Sequence, residues 1–217
     1  LAVVGVALYF LFQDVSQGAV VSQPLIGTYT AHLRVDMLGV VLAAVFVGAG
    51  LAASIYSIAY MKEETGIPLY FTLLLTMIGG MMGVVFAGDL FTLFVFWELM
   101  CISSYVLVAF SKGEIESVEA AFKYLVMSGA GSATVLLGVS LLYGMSGTLN
   151  FEGLALAFGQ APADPWLFLA SLLILAGFGV KAAIVPLHTC LPHAHSAAPS
   201  PISALLSGVV KQVGVYA

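Results

Sequence analysis

"LFTLFVFWELMCISSYVLVAF", Leu90 to Phe110, is a run of apolar and small polar residues carrying one formal charge, at Glu98. Coiled as a helix at about 1.5 Å per residue, it matches the hydrocarbon core of a bilayer, roughly 30 Å thick. A strand of a membrane barrel would alternate polar and apolar residues, and this stretch does not. It reads as a transmembrane helix. The rest of the chain agrees: 61% of residues are hydrophobic and 8% charged, and the mean hydropathy is +1.10, whereas soluble domains are about 25% charged. Backbone at membrane depth must be satisfied inside helices or closed barrels. The expected fold class is therefore all-α, a polytopic transmembrane helix bundle.

The same ruler marks about seven membrane segments in a single domain spanning 1–217, near 1–12, 36–61, 68–87, 90–110, 118–145, 166–186 and 202–217. Gln13 to Arg34 reads as a polar loop, as does the longer stretch containing "SGTLNFEG" and "QAPADP". The chain starts and stops inside apolar runs, so it is expected to be truncated at both ends. "GGMMG" (Gly79 to Gly83) and "SGAGSA" (Ser128 to Ala133) place small residues one turn apart, which lets helix backbones approach closely. The net charge of −5 is spread thinly and offers no surface for nucleic acid. Lys62 and Lys112 fall in loops on the side opposite Arg34, which places those loops in the cytoplasm by the positive-inside rule. Cys101 and Cys190 show no pairing pattern.

Three charges stand well inside apolar spans: Glu98, Lys181 and Lys211. A charge at a helix centre costs roughly 2.5 to 3.5 kcal/mol even on lenient insertion scales, which points to function. Lys123, nearer a helix start, can snorkel to the headgroups. At 4 Å and an effective dielectric near 20, Glu98 and Lys181 would attract by about 4 kcal/mol, equivalent to roughly three pKa units. Such a pair serves equally as a proton switch or as a static lock between two helices. Pro186, followed by Pro192, Pro199 and Pro201, breaks the helix after Lys181. The break either exposes carbonyls to water and ions or merely shapes the bundle. His188, Cys190, His193 and His195 are all metal-ligand types, but their spacing fits no standard zinc motif, and no metal is assigned. Solvated or proton-carrying histidines are the expectation there.

Three stretches carry a family resemblance: Gly88 to Phe110, "AAFKYLVMSGAGSATVLLGVSLLYGMSGTLNF" (Ala120 to Phe151) and "GVKAAIVPLHTCLPHAHSAAPSPISALLSGVV" (Gly179 to Val210). They closely resemble the antiporter-like membrane subunits of respiratory complex I. The versions in energy-converting membrane-bound hydrogenases, formate hydrogenlyase and Mrp-type sodium/proton antiporters are the most similar. The resemblance implies half of an inverted-repeat antiporter-like fold with a proline-broken helix, covering roughly helices two to eight of about fourteen. Position by position, it makes Glu98 and Lys181 a pair that holds and releases a proton and puts Pro186 at the helix break. It also matches His188 and His195 to the family's "HTWLPDAH" pattern and Lys123 to a basic position on its sixth helix.

Departures from the family pattern are Cys190 in place of Trp, His193 in place of Asp, and Lys211 followed by Gln212 where the eighth-helix lysine is expected at 212. One residue turns a side chain by about 100°. A π-bulge would restore the direction; without one, water held by Gln212 is the natural stand-in.

The function implied is proton, or sodium/proton, translocation by a non-catalytic membrane subunit of a redox-driven complex of the NADH:quinone oxidoreductase or hydrogenase type. A subunit of an Mrp-type antiporter and a non-conducting scaffold subunit are the alternatives. A carrier for small organic substrates would need substrate-sized polar clusters, and polar residues at depth are few. The implied partners are other membrane subunits, a peripheral redox arm, the lipid bilayer, protons and possibly sodium. No cofactor is expected in this chain, since redox cofactors would sit in partner subunits. The implied location is the prokaryotic plasma membrane.

Overall fold

Four carboxylate or amide side chains set the starts of the helices, and the apolar runs between them set the lengths. A computed structural model describes residues 1–16, 21–26, 29–62, 65–110, 115–159, 164–185 and 190–217. In chain order these form α1 (Ala2–Ser16), β1 (Val21–Ile26), β2 (Tyr29–Val35), α2 (Met37–Tyr60), α3 (Ile67–Val85), α4 (Leu90–Val108) and α5 (Ile115–Ser146). Then come α6 (Phe151–Phe158), α7 (Pro165–Lys181), α8 (Cys190–Ala197), α9 (Ser200–Leu205), a π-helical segment (Leu206–Val210) and α10 (Lys211–Tyr216). Asp36, Asp89, Asn150 and Asp164 cap α2, α4, α6 and α7, each accepting from a backbone N–H that the first helical turn leaves unpaired. Met37–Tyr60, Ile67–Val85, Leu90–Val108 and Ser117–Ser146 are long and apolar enough to cross a membrane.

The polar stretch expected as a loop is partly ordered. β1 and β2 pair antiparallel, with Val21 opposite Val35 and Ser22 opposite Arg34. β2 then docks on the α3–α4 turn: Arg34 N–H donates to Phe86 O at 2.8 Å and Gly88 N–H to His32 O at 2.7 Å. A backbone leaving the bilayer keeps its need for hydrogen-bond partners, and the hairpin meets that need locally. α1 likewise continues to Ser16, past the expected end of its segment, and α6 forms where a loop was expected.

Asp89 ties this end of the bundle together. It is 1% exposed; one carboxylate oxygen accepts from Thr92 N–H at 2.7 Å. The other accepts from His32 N–H at 2.9 Å and Thr92 Oγ1–H at 2.7 Å. Leu90 N–H reaches Leu149 O at 3.0 Å, so the α5–α6 connection joins the same knot.

Small residues bring the helices together as their spacing suggests. At Gly80 a Cβ would lie 2.8 Å from the Met100 backbone nitrogen, and at Gly83 it would enter the Phe96 ring, so α3 lies flush on α4. At Gly131 a Cβ would lie 3.1 Å from Gly177 O, which fixes the α5–α7 crossing. α7 starts at the Asp89 end and, with 17 residues, rises only about 25 Å. Its C-terminus therefore falls within the membrane. At the far end Ser117 Oγ donates to Ala197 O at 3.3 Å, so α8 reaches the opposite face beside the start of α5. α9 to α10 then return, and Tyr216 Oη donates to Val85 O at 3.0 Å.

Asp89→Ala removes a helix cap and leaves a part-buried His32 N–H without its partner. It is expected to destabilise the protein by about 2 kcal/mol, read as a lower thermal unfolding midpoint in detergent. Asp164→Ala, which removes an exposed cap alone, should cost less than about 1 kcal/mol in the same assay.

Candidate functional site

α7 ends in a specific way. Ala182 N–H donates to Phe178 O at 2.9 Å and Ile184 N–H to Gly179 O at 2.9 Å, while Ala183 takes a left-handed φ of 57°. This is the hydrogen-bond pattern of a helix C-cap, usually built around glycine. The last helical residue is Lys181, so the helix stops before Pro186 rather than at it. Pro186 itself lies outside the described residues. A proline steers the residue before it away from helical geometry, and the cap closes the helix ahead of that constraint.

Lys181 is 4% exposed. Its Nζ donates to Ser104 Oγ at 3.0 Å, and Ser104 Oγ donates in turn to Cys101 O at 2.7 Å. The ammonium lies 4.6 Å from the Tyr124 ring centroid and 5.7 Å from that of Tyr105. The two rings meet edge to face, with centroids 5.6 Å apart. One level away, Trp97 packs edge to face on Phe178, with centroids 4.6 Å apart, and joins α4 to α7.

Glu98 is half-buried, and its Oε1 is shielded from solvent without a hydrogen-bond partner. The ion pairs given for the described residues are Arg34 with Glu152, at 3.6 Å, and Lys123 with Glu119, at 2.6 Å. Glu98 and Lys181 are thus not in ionic contact. Lys181 bonds to Ser104, a residue six positions and about 9 Å along the axis of α4 from Glu98. Between them sits the buried thiol of Cys101, which accepts from Ser128 Oγ at 3.8 Å and feels the charge of both.

The other candidates fall as follows. Lys123 is exposed and ion-paired one turn back along α5, and its neighbour Tyr124 takes the inward place. Lys211 follows the π-helical segment, is half-buried and interacts electrostatically with His195. Gln212 is exposed, and the π-helical segment named as the alternative to water held by Gln212 is present just before Lys211. His195 Nδ1 bonds Ser203 Oγ at 3.0 Å, and its Nε2 is buried without a partner. His188 lies outside the described residues, as do the side chains of Cys190 and His193. Among the described residues no three His, Cys, Asp or Glu side chains gather in a metal-binding group.

Sequence reasoning missed Ser104, Tyr105, Tyr124 and Ser128. A signal existed on α4: Cys101 and Tyr105 recur three and seven residues after Glu98, on one helical face. Chemically, the site can hold a desolvated cation with a hydroxyl and two π-faces while a carboxylate waits nearby. Such contacts favour the ammonium over the neutral amine, since ring quadrupoles attract charge.

Fold and site together define an integral membrane helix bundle built around a buried lysine at a helix break. The chain belongs to the NADH:quinone oxidoreductase/Mrp antiporter transmembrane family, whose pattern matches residues 87–217. Residues 27–71 match the N-terminus of chain 5 of NADH-ubiquinone oxidoreductase, complex I. The NADH-quinone oxidoreductase subunit N of Desulforudis audaxviator is 38% identical over 82% of this chain and 35% of its own length. A Na(+)/H(+) antiporter subunit of Bacillus subtilis is 32% identical over 87% of this chain and 38% of its own. The chain thus spans well under half the length of these relatives. Among solved structures, an archaeal membrane-bound sulfane sulfur reductase matches 98% of this chain and 44% of its own, with TM-score 0.90 and 30% identity. The Mrp complex of Dietzia sp. matches the same share of this chain and 40% of its own, with TM-score 0.84 and 26% identity.

The left-handed cap makes a test of the break. Ala183→Gly relieves the strained φ and is expected to stabilise the protein by about 1 kcal/mol, and Ala183→Val to destabilise it by more than that. Thermal unfolding midpoints of the two variants should move in opposite directions.

Proposed function

We infer that this chain is a proton-translocating, or sodium/proton-translocating, membrane subunit of a redox-driven complex, and that Glu98 and Lys181 load and release its proton. The observation that carries the reading is Lys181: a lysine withdrawn from water at an interrupted helix and bonded to α4, which carries the unpartnered Glu98 six residues before the Ser104 that the lysine bonds. Burial disfavours the ammonium, whereas an approaching carboxylate favours it, so changing the Glu98–Lys181 distance changes how tightly the proton is held. With the lysine moved to Glu98 the proton is held. With the lysine withdrawn, an N–H bond breaks and the proton passes to water or the next base.

Lys211 and His195 lie close enough to interact and are the onward candidates. Lys123, paired to Glu119 on an exposed face, tunes entry at most. Redox cofactors would belong to partner subunits, as would the peripheral arm that delivers electrons. The location proposed is the plasma membrane of a prokaryote. A second reading, as a subunit of an Mrp-type antiporter, is supported by the 32% identity to the Bacillus subtilis antiporter protein. It differs in the driving force and leaves the role of Lys181 unchanged.

The test is proton or sodium transport by the full complex in sealed vesicles. Glu98→Gln and Lys181→Ala should each lower transport at least tenfold with assembly intact. Wild-type transport by both variants would leave the chain a scaffold without a conducting role.

A further inference from the structure

The cluster around Lys181 has more parts than a carboxylate switch requires. The ammonium is held from two helices: Ser104 and Tyr105 on α4, and Tyr124 on α5. The two rings brace each other edge to face, so Tyr124 presents a fixed face to the cation. Glu98, the obvious partner, leaves a buried oxygen unused. We propose that Ser104, Tyr105 and Tyr124 form a docking station for the charged lysine, separate from Glu98, and that Tyr124 is the positioning residue that sets how firmly the proton is held there.

This rests on the reading of Lys181 as the proton-loading residue. A π-face attracts an ammonium and is nearly indifferent to a neutral amine, so the station recognises the protonation state as well as the position. Lysine's flexible four-carbon stem lets it reach partners in different directions around α4, since Ser104 and Glu98, six residues apart, point about 120° from each other. Cys101, a buried thiol on the same helix, is a weak hydrogen-bonding group that also faces the ammonium. At Glu98 the ammonium keeps its proton beside the carboxylate; from the station an N–H bond of the ammonium breaks and an O–H bond forms on water, or an N–H bond on the next base. The neutral amine that remains has no cation–π attraction to the rings.

The groups that bear on Lys181 electrostatically are Cys101 and Tyr105 from α4 and Tyr124 from α5. Glu98 acts on Cys101 and Tyr105 in turn. The packed α10 brings Lys211, which acts on His195 of α8, and Tyr216, whose charged neighbours are Asp36 and Arg34. Among the described residues of α5, Tyr124 is the titratable side chain that faces Lys181, since Lys123 and Glu119 pair on the exposed side.

The experiment measures transport against pH for the full complex in vesicles, with Tyr124→Leu, Tyr124→Phe, Ser104→Ala and Lys181→Ala. Removing the ring lowers the lysine's proton affinity. Tyr124→Leu should therefore move the alkaline half-point of transport down by about one pH unit, and Tyr124→Phe, which keeps the ring, should bring it back towards wild type. Ser104→Ala should move it the same way by less. Identical profiles for the Leu and Phe variants, or an unmoved half-point in Tyr124→Leu, overturn the station. If Tyr124→Leu fails to assemble, Ser104→Ala decides: a downward shift supports the proposal and an unmoved half-point overturns it. Lys181→Ala separates the two readings. Wild-type transport by that variant defeats the loading role itself, whereas lost transport beside an unmoved Tyr124→Leu profile defeats the station alone.

Discussion

A cation at membrane depth has to be satisfied by the protein around it, and much of this bundle follows from how Lys181 is satisfied. The lysine is the last residue of α7, where unpaired carbonyls and the negative end of the helix dipole gather. A positive side chain is favoured there on elementary grounds. Ending the helix at that depth also obliges the chain to cap it, which Ala183 does in the left-handed conformation, and to finish the crossing with the separate helix α8. The break and the lysine are one device: the helix end supplies favourable electrostatics, and the lysine gives the break its chemistry.

The second constraint is that α5 must both pack and present. Tyr124, Ser128, Gly131, Val135 and Gly138 recur at three- and four-residue steps and so share one face. Gly131 and Gly138 let α7 approach backbone to backbone, at Gly177 and near Ala170 O. The same close approach brings Tyr124 to Lys181 and Ser128 to Cys101. The glycines are therefore not passive fillers: a side chain at Gly131 would push α7 away and carry the lysine off the tyrosine ring. Packing and electrostatics share a single stripe of residues, and neither is adjustable alone.

This explains what could be read from the sequence. The transmembrane class was legible because bilayer thickness imposes a length that any apolar run reveals. Glu98 and Lys181 were legible because a charge in such a run is costly and stands out. Tyr124 and Ser104 were not, because tyrosine and serine are cheap in a membrane helix and acquire meaning only from what lies opposite. Lys123 drew attention as a charge, yet the next residue faces the site; a step of about 100° separates a paired surface lysine from the inward tyrosine. The hairpin was hidden for another reason. Its pairing is set by backbone groups reaching Phe86 and Gly88, which no pattern within residues 13–34 records.

The same arithmetic governs the other end of the site. Lys211 stands one residue before the position the family pattern assigns to a lysine, enough in a regular α-helix to turn it away. The π-helical segment Leu206–Val210 lies immediately before it. A wide turn takes in one extra residue, so each side chain beyond it points where the residue before it would in a regular helix, which is a turn away from the direction of position 212. Lys211 is nevertheless half-buried and within electrostatic reach of His195, and Gln212 faces outward. The chain therefore departs from the pattern in sequence while keeping a cation beside His195 in space. For a buried charge the quantity under constraint is where it ends up in space, and a lysine's flexible stem can reach a neighbour from more than one position on the helix.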